Sequence, residues 1–169
     1  IAAIGLIALL TLILIAGIKE SAAVAGLFTL IEAVGLILII IAGIPRLGNV
    51  NYLEMPFGIT GVFTAAALVF FAYQGFEEMV KFSEETREPE KTVPKALMIA
   101  LAVCTLLYIL VCISAVSVVG WEGLAGSEAP FAEVATVAWG PWGADVLSVI
   151  ALFATANTVL LMLLAASRI

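Results

Sequence analysis

The sequence predicts an all-α membrane protein with five transmembrane helices, and three observations lead there. Hydrophobic residues make up 64% of the 169-residue chain and charged ones 12%, with a mean hydropathy of +1.24, so lipid and not a soluble interior sets the core. Apolar runs near the length a bilayer demands recur between short polar connectors, at about 1–18, 22–44, 57–85, 95–119 and 144–166. One of those runs, Phe57 to Glu85 (FGITGVFTAAALVFFAYQGFEEMVKFSEE), meets Tyr73, Gln74, Gly75, Phe76, Glu77 and Glu78 while still too short to have crossed a hydrocarbon core roughly 30 Å thick. Polar groups at that depth need protein or a water-filled cavity beside them, so this helix is predicted to be broken near 73–76, as binding-site helices of secondary transporters are.

Residues 1–18 have no basic leader and no small-residue cleavage site and read as a full span, not as a signal peptide. Lys19-Glu20-Ser21 then leaves room only for a tight antiparallel hairpin into the second span, 22–44. Pro45 to Pro56 (PRLGNVNYLEMP) is a proline-bracketed polar loop, with Gly48 and two Asn residues marking turns. After the broken third run, Thr86 to Pro94 (TREPEKTVP) is charged and proline-punctuated and is expected as an aqueous loop, with Pro94 starting the fourth span. Between Gly120 and Gly143, Trp121, Trp139 and Trp142 suit an interfacial layer, and Pro130 to Ala138 is expected as a short surface helix. The fifth span, 144–166, ends before Arg168. The abrupt termini predict a fragment of one transmembrane domain, whose partners are the lipid bilayer and the remaining helices of the same full-length protein.

Five spans alternate the loops between two sides. Lys19, Lys81, Arg87, Lys91, Lys95 and Arg168 fall on one side and Arg46 alone on the other, so loops 19–21 and 86–94 are predicted to be cytoplasmic in a cell (plasma) membrane protein. The net charge of −6 is dispersed and points to no nucleic-acid partner. With no His, and with Cys104 and Cys112 both inside an apolar run, neither a metal site nor a disulfide is expected, and no cofactor is implied. No Ser/His or paired-Asp arrangement lies at membrane depth, so the chain is not read as an enzyme.

The order Phe71-Ala72-Tyr73-Gln74-Gly75-Phe76-Glu77, followed by Ser83-Glu84-Glu85-Thr86-Arg87-Glu88-Pro89-Glu90-Lys91-Thr92-Val93-Pro94-Lys95-Ala96, resembles the sixth helix and following cytoplasmic loop of the amino acid-polyamine-organocation permeases. Gly17 to Ser21 is similar to that superfamily's turn between helices four and five, and Asn157 to Arg168 to its eighth helix. The resemblance covers nearly the whole chain as helices four to eight. It implies a five-plus-five inverted-repeat transporter bundle in which substrate lies between two broken helices, of which only the sixth is present. It further implies a substrate-binding set of Phe71, Ala72, Tyr73, Gln74, Gly75 and Phe76: carbonyls matching Phe71, Ala72 and Gln74 receive the substrate ammonium, and the Phe71 ring closes as a gate. Helix carbonyl ends suit that cation physically. Gln74 departs from the small residue common at its place, which narrows the pocket or adds an amide contact. Taken singly, Phe71, Tyr73 and Phe76 have a plainer reading as packing or lipid-facing aromatics.

Glu32, near the middle of the second span, is the sharper oddity, because the permeases often carry Lys there. A carboxylate at mid-bilayer costs about 2.5–3.5 kcal/mol on insertion scales, and low dielectric favours the neutral acid, so Glu32 is predicted to take part in proton coupling. Its alternative is a protonated, hydrogen-bonded structural group. Glu77, Thr155, Asn157 and Thr158 complete the candidates for proton or cation coupling, against ordinary helix–helix hydrogen bonding for the last three. The function expected is secondary active transport of amino acids or related amines by alternating access, coupled to protons. The alternatives are a sodium-coupled or exchange-type carrier of another small amine, a channel, or a non-transporting membrane subunit.

Overall fold

In a computed structural model the described residues are 2–75 and 86–167. Phe76 and Glu77, with Glu78, Lys81, Glu84 and Glu85, lie outside them. The chain divides into two compact units, Ile1–Val50 with Leu110–Ile169, and Asn51–Ile109. All regular structure among the described residues is helical.

The larger unit begins with helix α1, Ala2–Ala16, and helix α2, Ile18–Gly43, followed by a 3-10 turn at Ile44–Arg46. The turn between α1 and α2 falls at Gly17, not at the polar triplet Lys19-Glu20-Ser21, which forms the first turn of α2. Gly17 adopts φ 136°, a conformation that favours glycine, so the backbone reverses there whatever the polarity of its neighbours. Ser21 is fully buried, its hydroxyl shared between the carbonyls of Gly17 at 2.8 Å and Ile13 at 3.3 Å.

Helix α3 is Gly58–Phe71 and helix α4 is Pro89–Gly126, whose residues belong partly to each unit. The segment expected as loop up to Pro94 is helical from Pro89. The amides of Lys91 and Thr92 bond to Glu88 O at 3.0 and 2.9 Å, and Pro89 takes the first helical position where its missing donor is no loss. The helix is interrupted at Gly120, φ 80° and ψ 161°, next to the expected end of the fourth span. Helix α5, Pro130–Trp139, coincides with the expected surface helix, and Gly140 at φ 85° turns the chain into helix α6, Pro141–Ala166.

Two clusters form the core of the larger unit. Leu10, Ala25, Ala156 and Leu160 join α1, α2 and α6; Ile39, Ala42, Val111, Ala115, Val134, Ala135 and Leu147 join α2, α4, α5 and α6. Small residues let the backbones approach: a Cβ on Gly43 would fall 2.3 Å from Ser114 Cβ, and one on Gly35 would fall 2.7 Å from Ile150 Cγ2. Arg46, the one cation expected on the far side, donates from its two terminal nitrogens to Val118 O and Val137 O, both at 3.2 Å. Those carbonyls lie near the Gly120 interruption and the end of α5, where helix dipoles favour a cation.

The smaller unit contains α3 and the first part of α4. No residue of α3 is buried. By length and apolar composition, residues 19–46, α4 and α6 are long enough to cross a membrane, while α1 and α3 are shorter apolar helices.

Candidate functional site

The first candidate site is built by the end of α3. Hydrogen bonding tightens there from the α pattern to three-residue bonds: Ala72 N to Val69 O at 2.9 Å, Tyr73 N to Phe70 O at 3.1 Å and Gln74 N to Phe71 O at 3.1 Å. Ala72 to Gly75 form the turn, and Gly75 has φ 108°. These three bonds take the carbonyls of Val69, Phe70 and Phe71.

These residues line a cavity of about 620 Å³ with Phe70, Leu97, Met98, Cys104 and Tyr108 among its other walls. Ala72, Tyr73, Gln74 and Gly75 belong to it; Phe71 does not, its neighbour Phe70 lying in the wall instead. Two hydroxyls of α4 bond to this turn. Tyr108 donates to Ala72 O at 3.1 Å, and Thr105 Oγ1 lies 3.0 Å from Tyr73 Oη. The two tyrosine rings meet edge to face, with centroids 5.4 Å apart. The cavity thus offers hydrocarbon walls, phenols, one side-chain amide and backbone carbonyls, a set able to hold an apolar side chain and a small cation.

The second site joins α2 to α6. Asn157 is 4% exposed, and its Nδ2 donates to Glu32 Oε1 at 2.7 Å and to Thr29 Oγ1 at 3.1 Å. Thr29 passes its own proton to Ala25 O at 2.9 Å. The Asn157 Oδ1 is buried with no partner among the described residues. Two of the expected coupling residues, 125 positions apart, therefore touch. Thr155 and Thr158 do not join them; their hydroxyls donate within α6, to Ala151 O at 2.9 Å and Ala154 O at 3.1 Å.

Thr29, Thr105 and Tyr108 are members of these sites that sequence reasoning missed. The available signal is spacing: Thr29 lies three residues before Glu32, and Thr105 three before Tyr108, so each pair shares a helix face.

The amino acid permease family matches residues 1–169 of the chain. Similar proteins include the methylthioribose transporter of Bacillus subtilis (strain 168), 43% identical over 63% of this chain and 23% of that protein. The branched-chain amino acid permease of the same organism is 40% identical over 60% of the chain and 22% of its own length. The vacuolar cationic amino acid transporter 4 of Arabidopsis thaliana is 35% identical over 66% and 20%. The matched stretch spans about a fifth of the length of these relatives. No solved structure matches the chain.

Proposed function

The chain belongs to the amino acid permease family, and from that premise we propose that it forms part of a secondary active carrier moving amino acids or related amines by alternating access, driven by protons. The observation that carries this reading is the end of α3: an apolar helix stops at Phe71 and turns through Gly75, and Ala72 to Gly75 line a cavity. Carbonyls at the negative end of a helix dipole complement the ammonium group that amino acids and amines share. In this proposal the carbonyls are those of Phe71, Ala72 and Gln74 that the resemblance implies, Phe71 O sharing its lone pairs with Gln74 N at 3.1 Å, with Tyr73 and Gly75 shaping the turn. The Phe71 ring is proposed as the gate; Phe76 keeps the role that the resemblance implies.

Glu32 is proposed as the proton carrier, with Asn157 as the group that holds it. A hydrogen bond of 2.7 Å from a buried amide fixes one carboxyl oxygen while leaving the acid free to exchange its proton. Sodium coupling through Thr155 and Thr158 is the alternative: both hydroxyls donate within their own helix, which leaves their oxygen lone pairs open to a cation. We place residues 19–21, at the start of α2, and residues 86–94 on the cytoplasmic side of the cell membrane, on the basic-residue asymmetry.

The full-length protein in proteoliposomes tests the reading. Labelled amino acids should enter saturably, exchange against unlabelled ones inside, and accumulate when a pH gradient is imposed. Flux that does not saturate would make the protein a channel. Glu32→Gln should abolish accumulation driven by the pH gradient and leave exchange measurable; pH-driven accumulation by that variant would reduce Glu32 to a structural hydrogen-bonding group.

A further inference from the structure

Ala72 is the C-cap of α3, and its carbonyl accepts a hydrogen bond from the Tyr108 phenol at 3.1 Å. The phenol is held in place from two directions. Its ring packs edge-on against Tyr73, at an interplanar angle of 72°, and Tyr73 is tied to Thr105, one helical turn before Tyr108. Ala72, Tyr73 and Tyr108 all line the cavity, so a neutral donor already stands at an atom to which a substrate ammonium would bond.

We propose that Tyr108 is a specificity-determining residue whose hydroxyl satisfies the Ala72 carbonyl while the site is empty and yields it to the amine of the substrate. The proposal rests on the reading that the carbonyls ending α3 receive that amine. A hydrogen bond from an ammonium is shorter and stronger than one from a neutral phenol, so the exchange runs toward bound substrate. An uncharged analogue without N–H donors gains nothing that the phenol does not already supply, and is rejected by comparison. The site therefore selects for a protonated amine without a carboxylate of its own at this carbonyl.

Removing the hydroxyl tests this in a direction that a scaffolding role does not predict. In Tyr108→Phe the empty state loses the phenol's hydrogen bond to the Ala72 carbonyl, whereas the substrate-bound state loses nothing at that atom. For whichever of the twenty labelled amino acids the full-length carrier takes up best, KM should fall roughly 2- to 10-fold, with the maximal rate unchanged or lower as release slows. KM does not depend on how much carrier inserts correctly, and Tyr108→Leu, which also lacks the hydroxyl, should move it in the same direction. An unchanged or raised KM in both variants overturns the exchange. The N-acetylated form of the same amino acid separates this failure from that of the parent reading. If it competes in the wild-type carrier as well as the free amino acid does, no ammonium is recognised at these carbonyls and both proposals fall. If it is excluded while KM stays put, the carbonyl site stands and only the role of Tyr108 is lost.

Discussion

The Thr29–Glu32–Asn157 set and the Ala72–Tyr73–Thr105–Tyr108 set both place polar groups on apolar helices, yet they are held in opposite ways. The first lies where α2 and α6 pack closely enough for Gly35 to be needed against Ile150, and its Asn157 is buried with one acceptor unpaired among the described residues. The second is built from a helix with no buried residue, and its polar contacts are one backbone carbonyl met by the Tyr108 phenol and one pair of side-chain hydroxyls, Tyr73 and Thr105. Packing makes the first set rigid, with little freedom to rearrange when a partner is lost, because unsatisfied buried groups cost their full desolvation. The second set can exchange one donor for another. A coupling site needs the first property, and a site that binds and releases cargo needs the second.

The largest effect should come from breaking the rigid set. Asn157→Leu removes the amide that donates to Glu32 Oε1 and to Thr29 Oγ1. A hydrogen bond to a charged group contributes about 1.5–3 kcal/mol, so pH-driven accumulation should fall at least roughly tenfold while exchange persists. Undiminished accumulation would show that Glu32 works without its partner.

Next in size is the packing itself. Gly43→Ala places a methyl 2.5 Å from Ser114 Cα, a backbone atom that cannot swing aside. The loss should be about 1–3 kcal/mol, read as a lower melting temperature in detergent. Gly26→Ala, with nothing within 4 Å of the added carbon, is the control and should be neutral or slightly stabilising. Equal melting of the two variants would deny that this crossing is tight. In the looser set Gly75→Ala meets no atom among the described residues, but φ 108° strains any side chain there, at about 1–2 kcal/mol. That strain should appear in uptake and not in melting temperature, since α3 contributes no buried residue.

What the sequence could reveal of these two sets follows from their chemistry. Glu32 stands out because a carboxylate inside an apolar run is costly, and Phe71 to Gly75 because glycine and polar residues interrupt a helix too short to have crossed; both signals are local. The helix beginning at Pro130 was legible for the same reason, in its proline start and amphipathic run, although Val134 and Ala135 on it are buried in the core. The bond from Asn157 to Glu32 was not, since nothing in either stretch fixes which helix faces which. Tyr108 was hidden differently: on an apolar helix a tyrosine looks like any aromatic at a lipid or packing surface. The turn at Gly17 and the helix start at Pro89 were misplaced because charge was given more weight than backbone conformation, whereas a glycine at positive φ and a proline at the first helical position decide where the chain turns and where it coils.

The smallest effect expected is the one that most sharpens the comparison. Thr105→Val removes the hydroxyl that lies 3.0 Å from Tyr73 Oη and keeps the shape of the side chain. A net hydrogen bond between neutral groups is worth about 0.5–1.5 kcal/mol, and the low end applies where the released phenol can turn to another partner in the cavity. Tyr73 lines that cavity, so its hydroxyl has somewhere to go. Melting temperature should move by less than about 3 °C for a chain of this size, and KM by less than about twofold. A loss as large as that of Asn157→Leu would mean that the hydroxyls of α4 are locked as firmly as the amide of α6. In that event the end of α3 would be a fixed wall, and the exchange of donors at Ala72 would have no room to occur.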